Sequence, residues 1–306
     1  MIQAHSIEDV NLKNSWLTIG VFDGVHRGHQ QIIRRLTSGA QAAHAQAVVL
    51  TFWPHPATVL GNQHVKCLTT PDERVELLSA LGVDVVIAQT FDTTLANTSA
   101  PKFVSRLKEH LGLEHLLIGY DFALGKGRQG DAARLTEMGT ELGYAVEVMP
   151  ALSDESGVIS STEIRKLVAI GNVAEAALLL GHSYSLHGPV VHGDSRGREL
   201  GFPTANIEYA PDKILPANGV YACRLWIEGT SYSGATNVGI RPQFHDKAEK
   251  PLVEAYILDF HGDIYGKDIR LEFISRLRDE KKFSSVDALI HQMKQDVIRT
   301  REILSS

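Results

Sequence analysis

The stretch IGVFDGVHRGHQQII, residues 19–33, decides how the first half of the chain is read. An apolar, strand-like run ends in Phe22-Asp23-Gly24. His26 and His29 then bracket Arg27 and Gly28, and a helical pattern begins at once. A strand that ends in a glycine-containing turn and opens a helix aims free backbone N–H groups at whatever lies there. The helix dipole favours negative charge, so the place suits a phosphate. Gly24 and Gly28 let the backbone come close. His26 and His29 can donate hydrogen bonds to phosphoryl oxygens and can take up positive charge as negative charge builds. The plainer alternative is a turn with two solvent-exposed histidines. Its position at the end of the first strand of an α/β pattern, where such sheets bind ligands, favours a site.

Outward from this turn the chain alternates. Aliphatic or β-branched runs at 16–22, 47–53, 84–91, 115–120 and 144–149 read as strands. Helical patterns lie near 28–44, 71–81, 100–111 and 130–142, and two short ones follow at 161–170 and 172–180. Such alternation predicts βαβ units and a parallel sheet with helices on both faces. The second half changes character. Strand-like runs at 184–192, 218–228, 231–240, 252–260 and 268–276 follow one another directly, separated by turns such as EGTS (228–231) and HGDIYG (261–266). Consecutive short strands predict an antiparallel barrel. The apolar positions Val286, Leu289, Ile290, Met293, Val297 and Ile298 predict a terminal helix over 284–304, with Ser284 or Ser285 as its N-cap. The expected division is therefore 1–183 and 184–306.

The 306 residues suffice for two cores, and the composition is that of a globular protein. Net charge is −6, which argues against a broad nucleic-acid face and leaves any anionic ligand to be held locally. Cys67 and Cys223 stand apart, without the spacing of a zinc ribbon or disulfide framework. No signal-peptide pattern and no bilayer-length apolar run is found, so no membrane role and a cytoplasmic location are expected.

A second phosphate-like feature is ISSTEIR, residues 159–165. Ser161 and Thr162 lie where a helix should start, with Arg165 one turn on. The motif reads either as an N-cap with a charged first turn or as hydroxyls, N–H groups and a guanidinium converging on phosphate. No GxxxxGK[ST] occurs, so the chain is not a P-loop protein.

In the second half, HGPVVHGDSRGRELGFPTANI (187–207) is punctuated by Gly188, Gly193, Gly197 and Gly201. This is either a glycine-rich barrel corner or a nucleotide loop leading to a metal site. Thr204 and Asn206 share one face if the segment is a strand, and both offer hard oxygens suited to Mg²⁺. Glu254, in the apolar run PLVEAYILDF (251–260), is either paired with a buried partner or catalytic.

GVFDGVHRGH, TFWPHP (51–56), LIGYDFALGKGRQGD (117–131) and ISSTEIR together resemble the HxGH nucleotidyltransferase superfamily, and within it the adenylyltransferase module of bifunctional riboflavin kinase/FMN adenylyltransferases. GRELGFPTANI, LPANGVYAC (215–223), NVGIRP (237–242) and YGKDIRLEFISRLRDEKKF (265–283) resemble the riboflavin kinase module of the same family. The resemblance implies a Rossmann-like α/β domain followed by an antiparallel β-barrel with a C-terminal helix. It also implies two reactions: phosphorylation of riboflavin to FMN with ATP and Mg²⁺, then AMP transfer from ATP to FMN, giving FAD and pyrophosphate. Carried over by motif, Glu254 is the kinase base, and Thr204 and Asn206 contact magnesium. His26 and His29 hold the triphosphate from one side. Phe22, Asp23, Gly24, Gly28, Asp121, Ser161, Thr162 and Arg165 complete that nucleotide site. Gly188, Gly193, Gly197 and Arg198 form the second, and Asp121, Arg241 and Arg278 lie near flavin. Three places depart from the family pattern: QFHDKAEKP (243–251), Tyr256 where His is common, and Leu124 where an aromatic is common. Two other readings compete. One is a nucleotidyltransferase for another phosphorylated acceptor with a purely binding barrel; the other is a non-catalytic flavin- or nucleotide-binding regulator.

Overall fold

The structure, a computed structural model, describes residues 1–61, 64–154, 157–193, 201–240 and 251–305. The chain divides into two compact units, Met1–Ser161 and Thr162–Ser306.

The first unit is a parallel sheet wrapped by helices. Its strands are β1 (Ile2–Ala4), β2 (Ser15–Ile19), β3 (Gln46–Trp53), β4 (Val85–Thr90), β5 (Leu113–Gly119) and β6 (Ala145–Met149), in the order β1-β4-β3-β2-β5-β6. Every pairing is parallel. Helices α1 (Arg27–Ala42), α2 (Pro56–Gly61), α3 (Pro71–Ala80), α4 (Thr93–Ala96), α5 (Ala100–Leu111) and α6 (Ala132–Leu142) connect them. Both faces of the central strands are covered, so β3, β4 and β5 are mostly apolar and sort residues by parity. Val48, Leu50, Leu116 and Ile118 join one core with Phe103, Leu107 and Leu135 from α5 and α6. Val49 and Leu117 join the other, with Ile33 and Leu36 of α1 and Val75 and Leu78 of α3. Each of these buried side chains contributes about 1.5–3 kcal/mol. After β2 the chain winds outward through β3 and β4, then returns to place β5 on the other side of β2. Reversal of winding there opens a crevice at the carboxyl ends of β2 and β5. A short hairpin, β7 (Ser153–Asp154) with β8 (Gly157–Val158), follows β6.

Helix α7 (Ser161–Ala169), which belongs to the second unit from Thr162 on, and α8 (Val173–Leu180) match the two short helical patterns. Strands β9 (Tyr184–Val191), β10 (Thr204–Ile207), β11 (Gly219–Ile227), β12 (Thr230–Gly239), β13 (Leu252–Ile257) and β14 (Asp268–Arg278) close an antiparallel barrel in the order β10-β13-β12-β11-β14-β9. Alternation is plain in β13, where Val253, Ala255 and Ile257 are buried while Leu252, Glu254 and Tyr256 are half-buried. Glu228 and Gly229, both at positive φ (48° and 82°), make the two-residue turn between β11 and β12, the geometry that matches strand twist. The terminal helix α9 (Val286–Leu304) packs against β11, β12 and β14. Its N-cap is Ser285, whose hydroxyl accepts the Ala288 N–H at 3.2 Å.

Candidate active sites

In the first unit, β2 stops at Ile19 and the chain turns sharply. Phe22 (φ 50°), Gly24 (φ 79°) and Val25 (φ 40°) are left-handed. For the two non-glycine residues that conformation costs on the order of 1 kcal/mol each, so the surroundings must enforce it. His26 is the N-cap of α1: its ring accepts the His29 N–H at 3.4 Å, where Ser or Asp would ordinarily serve. The two imidazoles stack, with centroids 3.6 Å apart, and Phe22 meets His29 edge-on at 5.0 Å. Gly28 is explained by this stack, since a Cβ there would press on the His26 ring at 3.2 Å. His29 Nδ1 is sealed from solvent with no hydrogen-bond partner among the described residues. Such an atom costs about 1–3 kcal/mol unless a ligand satisfies it.

Burial holds the His26 pKa down to about 4, against an opposing pull from Asp23. Burial, then His26, then Arg74 push His29 well below the usual histidine range. Both rings are therefore neutral at pH 7 and act as hydrogen-bonding groups, not fixed cations. Asp23 turns inward. Its carboxylate accepts the N–H groups of Leu68 (2.9 Å) and Thr69 (3.1 Å), so it anchors that loop to the turn. Gly24 N–H likewise donates to the Thr69 hydroxyl at 3.0 Å. The Ser161 hydroxyl donates to the Asp23 carbonyl at 2.8 Å, which ties that residue of the ISSTEIR motif to the histidine turn. In the second unit Arg165 donates to Thr162 Oγ1 at 3.3 Å.

At the carboxyl ends of β2–β5 lies a cavity of about 670 Å³. Phe52, Phe91, Phe103 and Phe122 give it aromatic walls, and Asp121 and Arg128 add polar atoms. It is within the size range of small-molecule pockets and suits a flat ring system. Arg128 donates to the Asp121 carbonyl at 2.6 Å. Leu124 is part of the lining.

In the barrel, β13 runs between β10 and β12, so Glu254 stands opposite Asn206 on one side and Asn237 on the other. Glu254, Thr204, Asn237 and Tyr256 line a cavity of about 340 Å³, one wall of which is α9. Pro203, Phe260 and Tyr265 line a second, of about 450 Å³. Thr204 belongs to both. Gly193 lies against Asn206, whose amide fills the space a Cβ would need. Gly188 sits in β9, where the Glu208 carbonyl occupies its Cβ position, so close strand packing alone accounts for that glycine. Arg278 is on the wall of the first barrel cavity, but its guanidinium is engaged bidentately by Asp296 at 2.7–3.1 Å. Gly197, Arg198 and Arg241 lie outside the described residues.

Two family models match the chain in tandem: FAD synthetase over residues 8–163 and riboflavin kinase over 180–304. The chain belongs to the bifunctional riboflavin kinase/FMN adenylyltransferase family. Relatives bearing that name include a Listeria monocytogenes protein, 37% identical, with 94% of this chain and 92% of the relative covered. Another is from Bacillus subtilis, 34% identical, covering 95% and 93%. A crystal structure titled a macrolide-efflux protein from Streptococcus pneumoniae shares the fold at a TM-score of 0.89 and 32% identity, covering 98% of each chain. Among the described residues, no helix of this chain is long and apolar enough to cross a membrane. As a member of the family the chain is an enzyme of FAD biosynthesis from riboflavin, with a kinase module and a nucleotidyltransferase module.

Spacing and residue type, together with the family motifs, led to the histidines, Ser161, Thr204, Asn206 and Glu254. They did not lead to Thr51, Thr69 and Arg74, which underlie the histidine turn, nor to Asn237, which flanks Glu254. Asn237 stood inside the quoted NVGIRP. As the immediate neighbour of the buried Val238, it falls on the opposite face of the strand.

Proposed function

We propose that adenylyl transfer takes place at the β2–α1 turn and riboflavin phosphorylation in the Glu254 cavity of the barrel. The observation that carries the kinase assignment is the position of Thr204, which lines two adjoining cavities, one of them holding the carboxylate of Glu254. A kinase needs an acceptor hydroxyl and a γ-phosphate to meet at one point. Two cavities that share a wall residue supply that geometry, with riboflavin on the Glu254 side and ATP on the other. Glu254 takes the ribityl hydroxyl proton as the new O–P bond forms and ADP leaves. Thr204 and Asn206 fit Mg²⁺: both carry hard oxygens, two residues apart on β10. An ion there would be held by these two oxygens together with the bound phosphates. Its contribution is to neutralise phosphate charge.

In the first unit the FMN phosphate attacks the α-phosphorus of ATP and pyrophosphate leaves. That phosphate is already an anionic nucleophile, so the site has to position and to stabilise charge. His26, His29 and Ser161 are assigned to the triphosphate, the aromatic cavity with Asp121 to the flavin ring, and Thr162 and Arg165 to the triphosphate by the family motif alone. The functional division is placed at 183/184, and the enzyme in the cytoplasm. Incubation with riboflavin, ATP and Mg²⁺, followed by chromatography for FMN and FAD, tests the scheme. Wild type makes both products, His29→Ala accumulates FMN, and Glu254→Gln makes FAD only when FMN is supplied. FAD made from riboflavin by Glu254→Gln at the wild-type rate would overturn the kinase assignment.

A further inference from the structure

Arg74, in α3, has no part in the assignments above and is 1% exposed. A guanidinium at that depth must be matched donor by donor. Nη1 donates to Thr51 Oγ1 at 2.8 Å and to the Phe52 carbonyl at 3.2 Å. Nε and Nη2 reach the Thr69 hydroxyl and carbonyl, each at 3.5 Å. Both threonines also hold the histidine turn. The Thr51 hydroxyl donates to the Val21 carbonyl at 2.8 Å, and the Thr69 hydroxyl accepts the Gly24 N–H at 3.0 Å. The guanidinium thus stands one hydroxyl away from the backbone on each flank of the left-handed Phe22. The Asp23 carboxylate, fixed on the Leu68 and Thr69 amides, supplies countercharge.

We propose that Arg74 is a positioning residue for adenylyl transfer: through Thr51 and Thr69 it locks the 21–25 turn in the conformation that stacks His26 on His29. The proposal rests on the placement of adenylyl transfer at that turn. The turn carries three left-handed residues, and the hydrogen bonds at Val21 and Gly24 both run through these hydroxyls, so their common anchor bears on where the imidazoles lie. Displacement of reacting groups by about 1 Å can cost ~10²-fold in rate. The fixed charge of Arg74 also reaches His29, where it adds to burial in keeping the ring neutral.

The test uses the full chain with Arg74→Met, Arg74→Lys, Thr51→Val and His29→Ala. FAD formation from FMN is measured across pH, and FMN formation from riboflavin in the same preparation checks that the protein is otherwise intact. Arg74→Met is expected to lower kcat for FAD formation by ~10²-fold, with a smaller change in KM for ATP. Arg74→Lys keeps the charge but not the fork, and recovers to within about tenfold of wild type. In Arg74→Met the acid limb of the pH–rate profile moves upward, because His29 loses a neighbouring positive charge; a purely structural role gives no such shift. Wild-type kcat and pH profile in Arg74→Met would overturn the proposal. If that variant fails to fold, Thr51→Val decides, since it exchanges only a hydroxyl for a methyl. A loss of about tenfold supports the lock, and an unchanged kcat refutes it. Full FAD formation by His29→Ala would instead remove the placement of the site, and the proposal with it.

Discussion

In the first unit the candidate groups sit where a strand has just ended; in the barrel they sit in mid-strand. The difference follows from the two kinds of sheet. A parallel sheet covered on both faces has no free face for polar groups, so its chemistry is confined to the carboxyl edge, where loops and helix N-termini meet. A barrel strand covered from outside by a single helix keeps one half-buried face. Alternate residues such as Glu254 and Tyr256 can then point into a cavity while Val253 and Ala255 fill the core. The first site depends on an improbable backbone, the second on register.

The sharpest way to break this contrast is Glu254→Gln, which keeps shape but cannot accept a proton. FMN formation should fall by ~10²–10⁴, while FAD formation from supplied FMN and the melting temperature change little. A mutant that retains its kinase rate would return Glu254 to a structural role. Next comes His29→Ala, which should lower FAD formation by ~10²–10³ and spare FMN formation, as measured by separate assays of the two steps. The pH dependence of stability sharpens the backbone half of the comparison. His26 is held near 4 in the folded protein, below its unfolded value of about 6.5. Its contribution is full above the unfolded value and is lost as pH falls from about 6.5 towards 4, by up to roughly 3 kcal/mol. Thermal melts between pH 7 and pH 4 should therefore show the first unit weakening, an effect reduced in His26→Asn. The smallest effect tests register. Gly193→Ala places a methyl where the Asn206 amide lies. It should raise the Mg²⁺ concentration for half-maximal kinase rate by about tenfold, read from a metal titration.

The alternating half of the chain was legible because β3, β4 and β5 are long apolar runs separated by amphipathic helices. Residues such as Leu116 and Leu117 left no doubt of a strand buried on both faces. β1 and β10 escaped notice because they are three and four residues long; pairing with β4, and with β9 and β13, makes them strands. The H-x-G-H turn showed itself through spacing, yet its support did not. Arg74 follows a capping box, Thr70 with Glu73, and reads as the charged first turn of an exposed helix. Only the fold shows that the polar end of α3 faces inward. Asp23 posed the converse problem: it stands inside the motif, but its carboxylate serves backbone amides. Sequence marks the residues near a site more readily than it separates those that touch a ligand from those that hold the frame.

The bidentate pair between Arg278 and Asp296 links the last strand to the last helix. Gln292 donates to the same carboxylate at 3.0 Å, and Arg278 also donates to the Asp279 carbonyl at 2.9 Å. A nonsense mutation upstream of codon 292 would therefore do more than shorten the protein. It would remove the wall of the barrel cavity and strand a guanidinium whose side chain is only 14% exposed, a loss of about 3–5 kcal/mol from the broken pair alone. The helix is held further on as well, since Arg301 donates to the Asp259 carboxylate at 2.8 Å, so a fusion or affinity tag belongs after Leu304, where the helix ends.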